Sequence, residues 1–333
     1  MVRFIAGVLF VLAVAVIAIG SATVRYSREP LDLPSTPFEF TVEKGTSLKA
    51  LANKLHEAGL LPEPYGFWLL GRFTDEATGI QAGRYRLITP ISPVALLQKL
   101  NDGDVIKETI TFVEGITFRE MRDALEADPR LKITLKGLSA SEILKKLGAE
   151  EVHAEGLFFP DTYQFAAGTS DLDLLRASYQ SMKKKLNDSW AQRAENLPYR
   201  SAYQALIMAS IIEKETGRAD ERTLVASVFV NRLRIPMRLQ TDPTVIYGMG
   251  ERFDGNIRRR DLTADTPYNT YTRDGLPPTP IALPGLDSIK AALNPAKSDK
   301  IYFVASRSGD GSHVFSRTLD EHNRAVAKYQ LGR

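Results

Sequence analysis

"ASIIEKETG" (209–217) is the stretch on which the reading of the whole chain turns. It closes an apolar run that starts near Ala202, and that run predicts a helix buried on most of its sides, ended by Gly217. The helix finishes in two acids, Glu213 and Glu215. At a period of 3.6, Glu215 falls three, four and seven residues after Ile212, Ile211 and Met208, on an apolar face. Glu213 shares a narrower side with Leu206, Ala209 and Ser210. A carboxyl in apolar surroundings loses hydration, and the negative end of the helix dipole acts in the same direction. Both effects keep Glu215 protonated near neutral pH, the state that a general acid needs. The bland alternative is a terminal-turn acid that reaches solvent or pairs with Arg218.

Downstream, a second apolar-faced helix is predicted over roughly Arg222 to Leu233, with Asp220 as its cap. A loop carrying Gln240, Thr241, Asp242, Thr244 and Tyr247 follows. "TPYNTYTRDGLPPTPIALPG" (266–285) is dense in rings, amides and hydroxyls. Aromatic faces cover sugar rings and neutral hydrogen bonders meet sugar hydroxyls, so the pattern suits a neutral polyhydroxylated ligand. Gln240, Asp242, Tyr247, Asn269, Tyr271 and Asn294 are the candidate substrate-binding residues. Asp242 and Asn294, each before a proline, also read as turn formers, and Tyr247 as core. "EGLFFPDTYQF" (155–165) is either a structural corner or a set of rings for stacking on sugars.

Upstream, "FEFTVEKGTSLKALANKLHEAGLL" (38–61) reads as a strand, a turn and a helix with Thr46 as N-cap and Leu48, Leu51, Ala52 and Leu55 on one face. "GRYRLITPIS" (83–92) is a second strand. "SPVALLQKLNDG" (92–103) is a helix with Ser92 as N-cap, Pro93 at its first position and Gly103 past its end. "ETITFVEGITFREMRDAL" (108–125) repeats the strand, turn and helix. At the amino terminus "FIAGVLFVLAVAVIAIG" (4–20) carries no charge, and ~20 such residues span a bilayer. A retained anchor is the expected reading, with a signal peptide cleaved near "GSA" (20–22) as its rival.

Net charge is +3 and there is no cysteine. The first argues against nucleic acid as a partner, and the second removes thiolate chemistry and disulfides. Arg258-Arg259-Arg260 is a solvated loop or a local polyanion spot. His56, His153, His313 and His322 lack metal-ligand spacing, and no phosphate-binding or dinucleotide loop is present, so neither metal nor cofactor is expected.

The chain resembles the MltG-type (YceG-like) endolytic murein transglycosylases. The likeness rests on "EGLFFPDTY", "MASIIEKETG", "ASVFVNRLR", "MRLQTDPTVIYG", "YNTYTRDGLPPTPIALPG", "ALNPA", "YFVA" and "HVFS", in that order. The resemblance implies an α+β protein with a cytoplasmic tail and transmembrane anchor (1–28), a linker (29–37), a small LysM-like module (38–108) and a larger mixed catalytic domain (109–333). It implies a single-pass inner-membrane protein whose catalytic domain lies in the periplasm and cuts the MurNAc-β-1,4-GlcNAc bond inside glycan strands, leaving 1,6-anhydroMurNAc ends. One acid serves that chemistry. Glu215-Thr216 also matches the acid-then-hydroxyl step of the lysozyme-like transglycosylases, so Glu215 is the expected acid and Glu213 its supporting partner or the alternative. A non-catalytic glycan-binding anchor and a hydrolase using Asp242 as second acid are the competing readings; a scaffold that recruits peptidoglycan synthases is compatible with the enzyme and does not exclude it.

Overall fold

The computed structural model describes residues 20–21, 23–74 and 78–332. Residues 4–19 of the apolar run, and with them the predicted anchor, lie outside the described residues. Among the described residues no helix is long and apolar enough to cross a membrane. The chain divides into two compact units, Met1–Thr109 with Gln164–Gly168, and Ile110–Tyr163 with Thr169–Arg333.

The first unit holds β1 (Phe38–Val42), α1 (Leu48–Glu57), α2 (Pro64–Phe73), β2 (Gly83–Leu87) and α3 (Pro93–Asp102). β1 and β2 pair antiparallel, with Phe40 opposite Tyr85. Both strands alternate buried and exposed, the period that a sheet with one covered face requires. Inward, Tyr85 stacks on Phe40 at 5.4 Å, and its hydroxyl donates to the Gln81 carbonyl at 2.7 Å. Outward, Glu39 accepts from Arg84 (2.9 Å) and Arg86 (2.7 Å) across the pair. The leucines of α1 and α3 close this core. Ser92 caps α3 as expected, and Gly103 ends it in the left-handed conformation (φ 65°). The cap of α1 is Ser47 rather than Thr46: Ser47 accepts from the Ala50 N–H, while the Thr46 N–H closes the preceding turn on Glu43.

β3 (Lys107–Thr111) and β4 (Thr162–Ala166) form a second two-stranded ladder. The second unit continues with α4 (Phe118–Ala127), α5 (Ala140–Leu147), α6 (Asp171–Ala191), α7 (Ala202–Glu215), α8 (Arg222–Arg234), α9 (Asp242–Met249), α10 (Arg259–Thr263), α11 (Leu286–Leu293), the antiparallel pair β5 (Tyr302–Ala305) and β6 (His313–Ser316), and α12 (Leu319–Tyr329). The α+β class holds. α7 packs on α6, α8, α9 and α11.

Every residue from Ala205 to Ile212 is buried. This is why α7 is apolar all round: each of its Leu, Ile and Met side chains contributes about 1.5–3 kcal/mol by leaving water. Its one buried hydroxyl is satisfied, since Ser210 donates to the Ile207 carbonyl at 2.7 Å and accepts from the Ile281 N–H at 3.0 Å. The helix stops because Thr216 turns extended (φ −145°, ψ 129°), not through a left-handed Gly217. α8 begins after Glu221, not Asp220, whose carboxylate is taken by Arg218 at 2.6 Å.

Candidate active site

Glu215 is the last residue of α7, and a cavity of about 600 Å³ opens in front of it. Arg232, Gln240, Asp242, Tyr271 and His313 also line that cavity. One carboxyl oxygen of Glu215 accepts the hydroxyl of Thr241, the residue that opens α9. Thr241 is held in turn: its N–H donates to Thr270 Oγ1 at 3.1 Å and its carbonyl accepts from Thr244 Oγ1 at 2.8 Å. The hydroxyl that fixes Glu215 therefore belongs to a buried threonine knot, not to a mobile loop.

Loss of hydration pushes the Glu215 carboxyl above its ordinary range, and the nearby charge of Asp242 adds to this. The Thr241 hydrogen bond, His313 and Arg232 act in the opposite direction without cancelling it. Arg232 is itself 7% exposed, and it spends its donors on the carbonyls of Ile301 (2.7 Å) and Leu239 (2.6 Å). Its charge thus stands near Glu215 without a paired carboxylate of its own among the described residues. Burial thus favours the neutral acid, while the Arg232 charge favours the carboxylate.

The facing wall is made of histidines and rings. His313 Nδ1 meets Glu221 Oε2 at 2.9 Å, and the His313 N–H donates to the same carboxylate at 3.0 Å. His322 stacks on Tyr302 at 5.0 Å, and burial holds its imidazole below the usual range. Asp242 accepts from the Tyr271 hydroxyl at 2.5 Å. Gln240 adopts a left-handed backbone (φ 49°), costing a non-glycine residue about 1–3 kcal/mol. Its N–H on the Thr270 carbonyl at 3.1 Å holds that conformation, leaving the exposed side chain at the cavity.

A profile of the YceG-like family matches residues 40–328. The chain belongs to the YceG-like family. This YceG-like chain is 33% identical over 320 residues to a Bacillus subtilis protein named endolytic murein transglycosylase, covering 90% of the chain and 87% of the relative. A Streptococcus pneumoniae protein of the same name is 27% identical over 334 residues; the alignment covers 90% of the chain and 60% of that longer relative. The crystal structure of a YceG-like protein from Listeria monocytogenes matches with a TM-score of 0.55 and 31% identity, over 87% of this chain and 99% of that one.

Glu215, Gln240, Asp242 and Tyr271 come together in the YceG-like fold; the other expected residues do not join them. Glu213 points elsewhere and accepts the Gly285 N–H at 2.9 Å. Asn269 is fully buried, and its amide is consumed by the carbonyls of Asp261 (3.1 Å), Leu262 (3.1 Å) and Ala264 (2.7 Å). It is a plug that shapes a loop, with nothing left for a ligand. Tyr247 turns to Glu155 at 3.1 Å and lines a different cavity, as does Asn294, past the end of α11. Arg218, the suggested partner of Glu215, pairs instead with Asp220 and Asp310. Thr241, Arg232, His313 and His322 were not among the expected site residues.

Proposed function

We propose that this YceG-like chain is a membrane-anchored lytic transglycosylase that cuts murein glycan strands internally, with Glu215 as its single acid and base. The observation that carries the reading is a desolvated carboxyl at a helix end, opening onto a cavity lined by hydrogen bonders and rings. The curated relatives' shared name supports the substrate. In this chemistry Glu215 gives its proton to the glycosidic oxygen and the muramoyl C1–O bond breaks. The carboxylate then takes the proton of the C6 hydroxyl as O6 bonds to C1. The acid is regenerated, no water is consumed, and a 1,6-anhydro ring is left. The run at 4–20 is the anchor, residues 38–108 act as a LysM-like glycan-binding module, and the catalytic unit lies in the periplasm, within reach of peptidoglycan synthases.

Asp242 lines the same cavity as Glu215 and keeps one alternative open, since a hydrolase needs a second carboxylate about 5–10 Å away. Digestion of purified glycan strands separates the two by mass spectrometry. Anhydromuramoyl ends that vanish in Glu215→Gln support the transglycosylase. Ends carrying a free reducing hydroxyl would make the protein a hydrolase. Cleavage that survives Glu215→Gln would overturn the assignment of the acid.

A further inference from the structure

The second unit holds another cavity, of about 750 Å³, that the glycan chemistry leaves unused. Its lining includes the rings of Tyr247, Phe253 and Tyr268, together with Glu155. Tyr247 and Tyr268 meet edge to face at 4.9 Å, and Tyr268 is fixed by a 2.8 Å hydrogen bond to Thr279. Glu155 is 8% exposed and accepts from the Phe118 N–H at 2.9 Å and the Tyr247 hydroxyl at 3.1 Å. No lysine, arginine or histidine forms an ion pair with it among the described residues. Two cations also line the cavity: Arg119 pairs with Glu251 at 2.7 Å, while Lys214 donates to the Gly115 carbonyl at 3.1 Å and keeps its charge. A buried carboxyl without a counter-ion is costly to keep. Beside aromatic faces it makes a receptor for an organic cation.

We propose that this cavity binds a primary ammonium group carried on a peptide, with Glu155 as its counter-ion and the Tyr247, Phe253 and Tyr268 rings packed around the ammonium and its methylenes. The source of that peptide rests on the murein reading of the Glu215 cavity: muramic acid bears a short peptide containing a diamino acid. α9 supplies Asp242 to the Glu215 cavity and Tyr247 to this one. α9 thus borders both cavities, and a peptide on a sugar beside Glu215 would run past this helix toward Glu155.

The test uses the full-length chain in detergent and two probes: the tripeptide L-alanyl-γ-D-glutamyl-L-lysine acetylated at its α-amine, and the same peptide also acetylated at Nε. Calorimetry is expected to show at least a tenfold weaker Kd for the Nε-acetylated probe. Glu155→Gln should abolish that preference, and Tyr268→Leu should weaken the free-amine probe several-fold. Equal affinity of the parent for both probes, no binding by either, or a preference that persists in Glu155→Gln would overturn the proposal. Cleavage of peptide-free glycan strands by the parent is scored separately. Its absence would sink the murein reading while leaving the ammonium site to be judged on the two peptides.

Discussion

Thr241 gives its hydroxyl proton to Glu215 although it stands at the N-cap of α9, where a threonine oxygen ordinarily accepts from its own helix. This bond occupies one carboxyl oxygen of Glu215, whose side chain also lines the cavity. The bond also favours the carboxylate, so it restrains the rise that desolvation imposes. Replacing Thr241 by Val, nearly isosteric, should cut turnover on glycan strands roughly 10–100-fold, less than complete loss of a general acid. The alkaline limb of the pH–rate profile should move to higher pH, and Thr241→Ser should restore both. An unmoved limb would disconnect the hydroxyl from the reacting carboxyl.

Glu215 itself should behave oppositely in activity and in stability. Its folded-state pKa lies above that of the unfolded chain, so the folded protein holds the proton more tightly. The resulting stabilisation is complete below the unfolded carboxyl range and is lost as pH rises through the folded value. Glu215→Gln, a neutral isostere, should therefore gain in melting temperature relative to the parent as pH rises above the ordinary carboxyl range, while cleavage falls by at least roughly 100-fold. A relative loss over the same rise in pH would show that the carboxylate is well solvated.

The part of the site that is legible in the sequence is the part made by one helix. Periodicity sets Glu215 against apolar neighbours because α7 is a regular element, and its burial follows from residues within two turns. The same logic cannot reach Thr241, Arg232 or His313, which arrive from elsewhere in the chain. Arg232 reads in sequence as a cation on an amphipathic helix, and only the approach of the Ile301 and Leu239 carbonyls buries it. Asn269 shows the reverse failure. An amide among tyrosines and threonines suits a sugar as well as it suits three backbone carbonyls, and composition does not distinguish a ligand from a loop. The caps divide in the same way: Ser92 is set by local geometry, whereas Asp220 is drawn off its helix by Arg218.

Glu213 should prove to be a cap supplied by another helix. α11 has no side-chain cap of its own, and Glu213 fills that place by accepting the Gly285 N–H at 2.9 Å. A carboxylate there also meets the positive end of the helix dipole. Glu213→Gln keeps an acceptor and should change stability little, whereas Glu213→Ala should cost about 0.5–2 kcal/mol in denaturant unfolding. Both should still release anhydromuramoyl ends. Abolition of cleavage by Glu213→Gln, with Glu215→Gln active, would exchange the roles of the two acids.

Glu155 carries a cost that pH can expose. Burial pushes its carboxyl up to about 7, against the pull of the hydrogen bonds from Phe118 and Tyr247. The folded state thus favours the protonated form. That advantage is complete below the unfolded carboxyl range and disappears as pH rises through about 7. At about 1.4 kcal/mol per pH unit, the ionised group weakens the fold by up to roughly 3 kcal/mol at alkaline pH. Glu155→Gln mimics the protonated acid, since its amide oxygen can accept from Phe118 and its amino group can donate to the Tyr247 oxygen. Unfolding in urea should find the variant close to the parent at about pH 5 and more stable by about 1–3 kcal/mol at about pH 8. Equal differences at the two pH values would mean that Glu155 does not titrate between them. An ammonium ligand should reverse the order at alkaline pH, because only the parent retains the carboxylate that it neutralises.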